Sequence, residues 1–230
     1  MNCKEFQKHK CQFINAFREV LSERGNEPQL VEAAFCAYAD PNPLIRFLFW
    51  RRLWVTIGFL QSQGPYEAVL DFGCGSGVTL PLLADFSNRA VGIDINLEPY
   101  RALSEHFSFA DDVEIYETKQ CPLPSFEDDT FNVVVALDVL EHVESLEDTL
   151  RQLCRITSKG GVIIVSGPTE SLFYKIGRKI AGKEYTGDYH VRNIYDIRRT
   201  MKHFMEIKKL ATLYYPFPLF EVYVGYVPNT

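Results

Sequence analysis

The sequence predicts an α/β fold: a doubly wound, mostly parallel sheet that closes in a C-terminal antiparallel hairpin and is preceded by helices. Three observations predict it. Beyond Gln63-Gly64-Pro65, short Val- and Ile-rich runs alternate with helical patterns, the rhythm of repeated βαβ units. The central runs lack apolar–polar alternation, so they read as strands covered on both faces. Near the end, two runs are separated only by Tyr215-Pro216-Phe217-Pro218. That is too short for a helical crossover, so this last pair is antiparallel.

Residues 1–62 read as a helical cap with breaks at Gly25-Asn26 and at Asp40-Pro41-Asn42-Pro43. The two prolines should start a helix from about Leu44 to Gln61. Gln63-Gly64-Pro65 then punctuates the chain and opens the principal domain, 63–230. Its strands are expected at Ala68–Phe72, Ala90–Asp94, Val113–Tyr116, Asn132–Leu137 and Val162–Gly167. Helices are expected at Val78–Phe86, Leu97–Phe107 and Ser145–Thr157. The last opens with Ser145 and Asp148 as a capping box and stops before Lys159-Gly160-Gly161. A helix at Ile194–His203 precedes the closing strands Phe204–Tyr214 and Leu219–Tyr226. Residues 169–192 are too long for a simple connection and read as a substrate lid.

Bulk properties narrow the function. A length of 230 residues suits one globular domain with an appendage. A formal charge of −6 argues against a general nucleic-acid binder, which needs a basic face. The six cysteines are scattered without metal-ligand spacing, so no metal site is expected, and they read as thiols of a reducing cytosol. MNCKEFQKHKC is not followed by an apolar run, so it is not a signal peptide. Leu44–Leu60 is apolar but holds Arg46, Arg51 and Arg52, which disfavours a membrane span. Packing on the core is its default reading, and peripheral membrane contact through 44–60 is the second.

Asp71-Phe72-Gly73-Cys74-Gly75-Ser76-Gly77 lies between a predicted strand and a predicted helix. Its glycines allow close backbone approach to a ligand, and the helix start offers free N–H groups. A second acid, Asp94, closes the next strand, where a carboxylate can hydrogen-bond vicinal ribose hydroxyls. The spacing is Gly-x-Gly-x-Gly, and an acid leads into the loop. Such an acid sits badly beside a pyrophosphate but well beside the cationic sulfonium and amino group of S-adenosylmethionine.

VLDFGCGSG, VGIDIN, FEDDTFNVVVALDVLEHV and GGVIIVSGP, in this order, resemble the four successive motifs of class I S-adenosylmethionine-dependent methyltransferases. The likeness is strongest to the small-molecule branch with quinone-biosynthesis enzymes. It covers roughly Ala68–Pro168 and implies a Rossmann-like seven-stranded sheet ending in the antiparallel hairpin. By this resemblance Asp71, Gly73, Cys74, Gly75 and Gly77 line the methionine and ribose end of S-adenosyl-L-methionine. Asp94 takes the ribose hydroxyls, Ile95 and Asn96 border the adenine, and Leu137, Asp138 and His142 complete the lining. The family often places an acid against the adenine amino group. Lys119 stands there in this chain, so that contact falls to Thr118, Gln120, Lys119 or backbone.

Methyl transfer is a direct displacement in which the cofactor brings the activated group, so alignment is the protein's main task. Candidate catalytic residues are Asp138 and His142, just past the fourth strand, and His190 in Tyr189-His190-Val191-Arg192. His142 reads either as a base or as a structural hydrogen-bonder beside the cofactor. Lys175, Arg178, Lys179 and Lys183 form either a greeting surface for an anionic substrate or a solvated helix face. The leading expectation is an enzyme methylating O, N or C of a small-molecule or lipid-like acceptor. A catalytically silent module binding the same cofactor is the alternative, and a nicotinamide-dependent oxidoreductase fits the glycine spacing least.

Overall fold

The computed structural model describes residues 3–119, 122–169, 192–214 and 218–229. Helix α1 (Cys3–Arg24) buries Phe6, Phe13, Phe17 and Val20 at helical spacing. It ends where Gly25 takes φ +64° and its amide donates to the Leu21 carbonyl, a left-handed helix stop. Two short helices, α2 (Pro28–Glu32) and α3 (Phe35–Ala39), lead to α4 (Pro43–Gln61). Asn42 caps α4 by accepting from the Leu44 amide, with proline next in line, as the break at 40–43 predicts.

The principal domain runs β1 (Tyr66–Phe72), α5 (Leu80–Ala84), β2 (Ser87–Asp94), α6 (Glu98–Ser104), β3 (Val113–Glu117), β4 (Phe131–Leu137), α7 (Leu146–Ile156) and β5 (Thr157–Pro168). Helix α8 (Ile194–Met201), β6 (Glu206–Leu213) and β7 (Phe220–Tyr226) complete it. The seven strands stand in the order β3-β2-β1-β4-β5-β7-β6. The first five are mutually parallel, and β7 runs antiparallel to both β5 and β6. The expected seven-stranded sheet with its antiparallel close is therefore present.

Period-2 geometry splits the strands between two cores. Val69, Val133, Val135 and Ile164 face one side, with α1, α3, α4, α5 and α6 packed there. Leu70, Val134, Ala136, Ile163 and Val165 face the other, against α7 and α8. Both faces are covered, which is why these strands carry no polar alternation. The N-terminal helices share the first core with the sheet rather than enclosing one of their own: Phe13 stacks on Phe107 at 4.1 Å between centroids.

Three local expectations need correction. Helices α5 and α6 are shorter than the apolar patterns at 78–86 and 97–107 suggested. Helix α7 stops at Ile156, ahead of Lys159-Gly160-Gly161 as expected, but β5 begins at Thr157 rather than Val162 and takes these residues in, where the β4 register jumps from Phe131↔Thr157 to Val133↔Val162. Gly160, at φ +74°, supplies the irregularity. At α7 the Ser145 hydroxyl donates to the Asp148 carboxylate at 2.6 Å and caps no backbone amide, so the capping box does not close.

Candidate functional site

Strand order reverses between β1 and β4, whose neighbours lie on opposite sides. In such sheets a crevice opens beyond the carboxyl ends of the strands at that switch point. The glycine loop follows β1 and the Asp138 turn follows β4, so both border this crevice.

The loop is tied down by backbone bonds. The amides of Gly73 and Cys74 donate to the Ile93 carbonyl at 2.8 and 3.1 Å, and Gly77 donates to the Cys74 carbonyl at 2.8 Å. Gly73 sits at φ +74°, and a Cβ there would lie 2.3 Å from a Val139 methyl. Glycine is thus required at 73 by both conformation and the close approach of the β4 turn. Cys74 is buried, and burial together with Asp71 and Asp94 raises its thiol pKa well above the ordinary value, so it packs rather than reacts.

Asp94 ends β2 and accepts from the Gly75 amide at 2.8 Å through Oδ2 and from the Asn96 amide at 3.2 Å through Oδ1. Burial raises its pKa, partly offset by these amides and that of Ile95. Asp71 differs. It is 3% exposed, and its Oδ2 meets no hydrogen-bond partner among the described residues. Burial first, and the charge of Asp94 second, push its pKa up to about 7. Two desolvated acids thus lie under one glycine loop.

The other predicted residues fall around this pair. Ile95 projects an apolar side chain that is 76% exposed. The Asn96 side chain is already engaged, accepting from the Glu98 amide at 3.0 Å as α6 begins. The Thr118 amide donates to the Asp94 carbonyl at 2.7 Å, which brings the end of β3 to the site, and Lys119 is exposed. Leu137 ends β4, half-buried. His142 lies in the following turn, its amide donating to the Val139 carbonyl and its side chain exposed. Gln120, His190, the cations at 175–183 and nearly all of the 169–192 segment lie outside the described residues. The ends of that segment are fixed at this edge. Thr169 donates to the Pro218 carbonyl at 2.7 Å, and Arg192 donates to the carbonyls of Val143 and Glu144.

Asp138 takes φ +53° directly after β4. Its Oδ1 accepts from the Ser166 hydroxyl at 2.9 Å, and its Oδ2 is ion-paired with Arg52 of α4. The Arg52 guanidinium is buried against two neighbouring rings, 4.5 Å from the Phe49 centroid and 4.7 Å from that of Phe220. The buried Tyr38 phenol stands within electrostatic reach of Arg52 and Asp71, and burial raises its pKa. Sequence reasoning missed Arg52 and Tyr38. A signal for Arg52 existed: it shares an i, i+4, i+8 stripe with the buried Thr56 and Leu60.

A cleft of about 620 Å³ lies elsewhere, among His9, Glu19, Asp85, His106 and Asp112 near the strands' amino ends. Desolvated charge under the glycine loop, rather than that cleft, marks the candidate site.

A family profile described as a methyltransferase domain matches residues 11–213. A probable S-adenosylmethionine-dependent methyltransferase of Mycolicibacterium smegmatis is 30% identical over 126 residues, covering 54% of this chain and 48% of that protein. The human mitochondrial ubiquinone biosynthesis O-methyltransferase is 31% identical over 114 residues, 47% of this chain and 31% of that one. The chain thus spans less than half the length of these relatives. In structure it is similar to the N-methyltransferase NodS of Bradyrhizobium japonicum WM9, solved with S-adenosyl-L-homocysteine. The TM-score is 0.60 at 15% identity, covering 82% of this chain and 90% of that one; at such identity the likeness shows the fold. The chain belongs to the methyltransferase-domain family.

Proposed function

With that membership as premise, we propose that the protein transfers a methyl group from S-adenosylmethionine to an O, N or C atom of a small-molecule or lipid-like acceptor. One observation carries the reading: a buried carboxylate oxygen of Asp71 without a hydrogen-bond partner among the described residues, under a glycine loop that Asp94 braces from the next strand. Holding two acids desolvated together is costly unless a cation arrives. S-adenosylmethionine fits this demand, and a dinucleotide pyrophosphate does not.

When bound, the cofactor supplies a methyl group already activated as a sulfonium. The work of the chain is placement. Asp71 would hold the ammonium of the methionine end, with Gly73, Cys74, Gly75 and Gly77 shaping the loop against it. Asp94 would accept from the ribose hydroxyls with the lone pairs its two amide bonds leave over. Ile95 would cover one adenine face; Asn96, Thr118, Lys119 and Gln120 would border it, with Leu137 below. Alignment of this kind can supply ~7–11 kcal/mol of the barrier. A base adds ~10²–10⁴-fold where the acceptor must lose a proton, and His142 and His190 are the residues we propose for it. In this reading 1–62 caps the domain 63–230, the 169–192 segment covers the acceptor, and the protein works in the cytoplasm without nucleic acid. Exposed Leu44 and Phe47 at the start of α4 favour peripheral contact with a membrane carrying a lipid-like acceptor; no described helix is long and apolar enough to cross one.

Calorimetry with S-adenosylhomocysteine and with NAD tests the cofactor. Affinity for the first and none for the second is expected, and the reverse would refute the proposal. Asp94→Ala should weaken S-adenosylhomocysteine ~100-fold or more, because it removes charge-assisted hydrogen bonds and the brace on Gly75. Retained affinity would refute the ribose assignment. Turnover of labelled cofactor with metabolite and lipid extracts then separates an enzyme from a silent binder.

A further inference from the structure

We infer that Arg52, on the N-terminal helix α4, is a positioning residue: through Asp138 and Val139 it sets where the β4 turn meets the glycine loop. The inference deepens the proposed cofactor site and rests on that reading for its functional consequence. A continuous set of contacts forms the chain. The Arg52 guanidinium lies against the rings of Phe49 and Phe220 and is ion-paired with Asp138 Oδ2. Asp138 is held from its other side by the Ser166 hydroxyl and carbonyl. Its left-handed backbone, φ +53°, is strained for a residue with a side chain, and it persists because these partners over-determine it. That backbone aims the next side chain, Val139, at Gly73, so closely that a Cβ on Gly73 would overlap it.

An arginine in this place has a geometric meaning. Its planar fork, lying against two neighbouring rings, fixes the direction from which Asp138 is pulled, whereas a lysine would supply charge without direction. The N-terminal helices therefore do more than cover the sheet. They supply the cation that locks the turn roofing the cofactor loop, and Tyr38 of α3 lines the space between Arg52 and Asp71.

The test uses the full chain with Arg52→Lys, Arg52→Met and the charge-neutral pair Arg52→Met with Asp138→Asn. Two readouts are taken: amide hydrogen exchange without ligand, and S-adenosylhomocysteine affinity. The amides of Asp138, His142, Gly73 and Cys74 are all bonded in the native protein and report the turn and the loop. In Arg52→Lys these amides should exchange ~10-fold faster or more, while the core strands keep native protection. Where the wild type binds, affinity should fall ~10-fold in the same variant. The charge-neutral pair should regain thermal stability relative to Arg52→Met without regaining loop protection. Unchanged protection of both segments in Arg52→Lys would overturn the proposal. So would recovery of loop protection in the charge-neutral pair, since charge balance alone would then explain the contact. A wild type that binds no S-adenosylhomocysteine refutes the proposed function, yet the unliganded exchange still decides the role of Arg52.

Discussion

Two acids close neighbouring strands at the switch point, and the protein treats them in opposite ways. Asp71, near the end of β1, is sealed from water with an oxygen left unbonded among the described residues, and its pKa is driven up to about 7. Asp138, after β4, is half-buried and saturated: Ser166 donates to one oxygen and Arg52 pairs with the other. Burial alone does not separate a binding acid from a structural one. What separates them is whether the chain supplies the counter-charge itself. Where it does, the acid orders the fold; where it does not, the acid is, in the function proposed above, held for a cationic ligand, and the unliganded protein should be less stable for it.

The sharpest way to break this contrast is Asp71→Asn. A carboxyl whose folded pKa lies above its unfolded value binds more protons folded than unfolded. Its ionisation therefore destabilises the native state as pH rises from about 4 through about 7, and the penalty is complete above that. From a folded pKa of about 7 and an ordinary value of 3.8, linkage bounds the penalty at roughly 4 kcal/mol. The asparagine variant should be more stable than wild type at pH 8, with the gap closing by pH 4, as denaturant melts across pH would show. It should also bind S-adenosylhomocysteine more weakly, trading affinity for stability. Equal stability at pH 8 would mean that Asp71 is already compensated, and the contrast with Asp138 would vanish.

Gly73→Ala probes the contact between the two regions. It imposes φ +74° on a residue with a Cβ and drives that Cβ into Val139. Left-handed strain of ~1–2 kcal/mol and overpacking of ~1–3 kcal/mol both apply, so a loss of ~2–5 kcal/mol is expected in chemical denaturation. Replacing Val139 by Ala in the same chain should recover only the part of the overpacking due to the methyl groups, because the Cβ of residue 139 itself lies 2.7 Å from the added carbon, and should leave the backbone share. Full recovery would show that sterics alone fix glycine at this position.

The two regions also differ in how far the sequence discloses them. Asp71 and Asp94 are legible because each ends a Val- or Ile-rich run covered on both faces, and a strand's end fixes where its last side chain stands. The antiparallel close was legible from four intervening residues. The Arg52–Asp138 pair was not, because nothing local joins helix α4 to a turn after β4. Periodicity identifies a helix face but not its partner, and the i, i+4, i+8 stripe became meaningful only beside β7 and Phe220. The start of β5 was hidden for a related reason. Lys159-Gly160-Gly161 marks that α7 has ended, but only the pairing of Thr157 with Phe131, a tertiary fact, shows that the strand begins ahead of the glycines.

The smallest expected effect tests the saturated acid by removing one of its two side-chain donors. Ser166→Ala deletes a fully buried hydroxyl that donates to Asp138 Oδ1 but keeps the 3.1 Å bond from the Asp138 amide to the Ser166 carbonyl. A hydrogen bond to a charged group contributes ~1.5–3 kcal/mol, and the retained Arg52 pair places the expected loss near the lower figure. Because Arg52 still fixes Oδ2, the turn should hold its place and S-adenosylhomocysteine affinity should be unchanged in calorimetry. A fall in affinity as large as that of Arg52→Lys would show that Ser166, not the arginine, directs the turn. A loss of stability without loss of affinity would instead leave Asp138 as an acid whose charge is met from within the chain, set apart from Asp71.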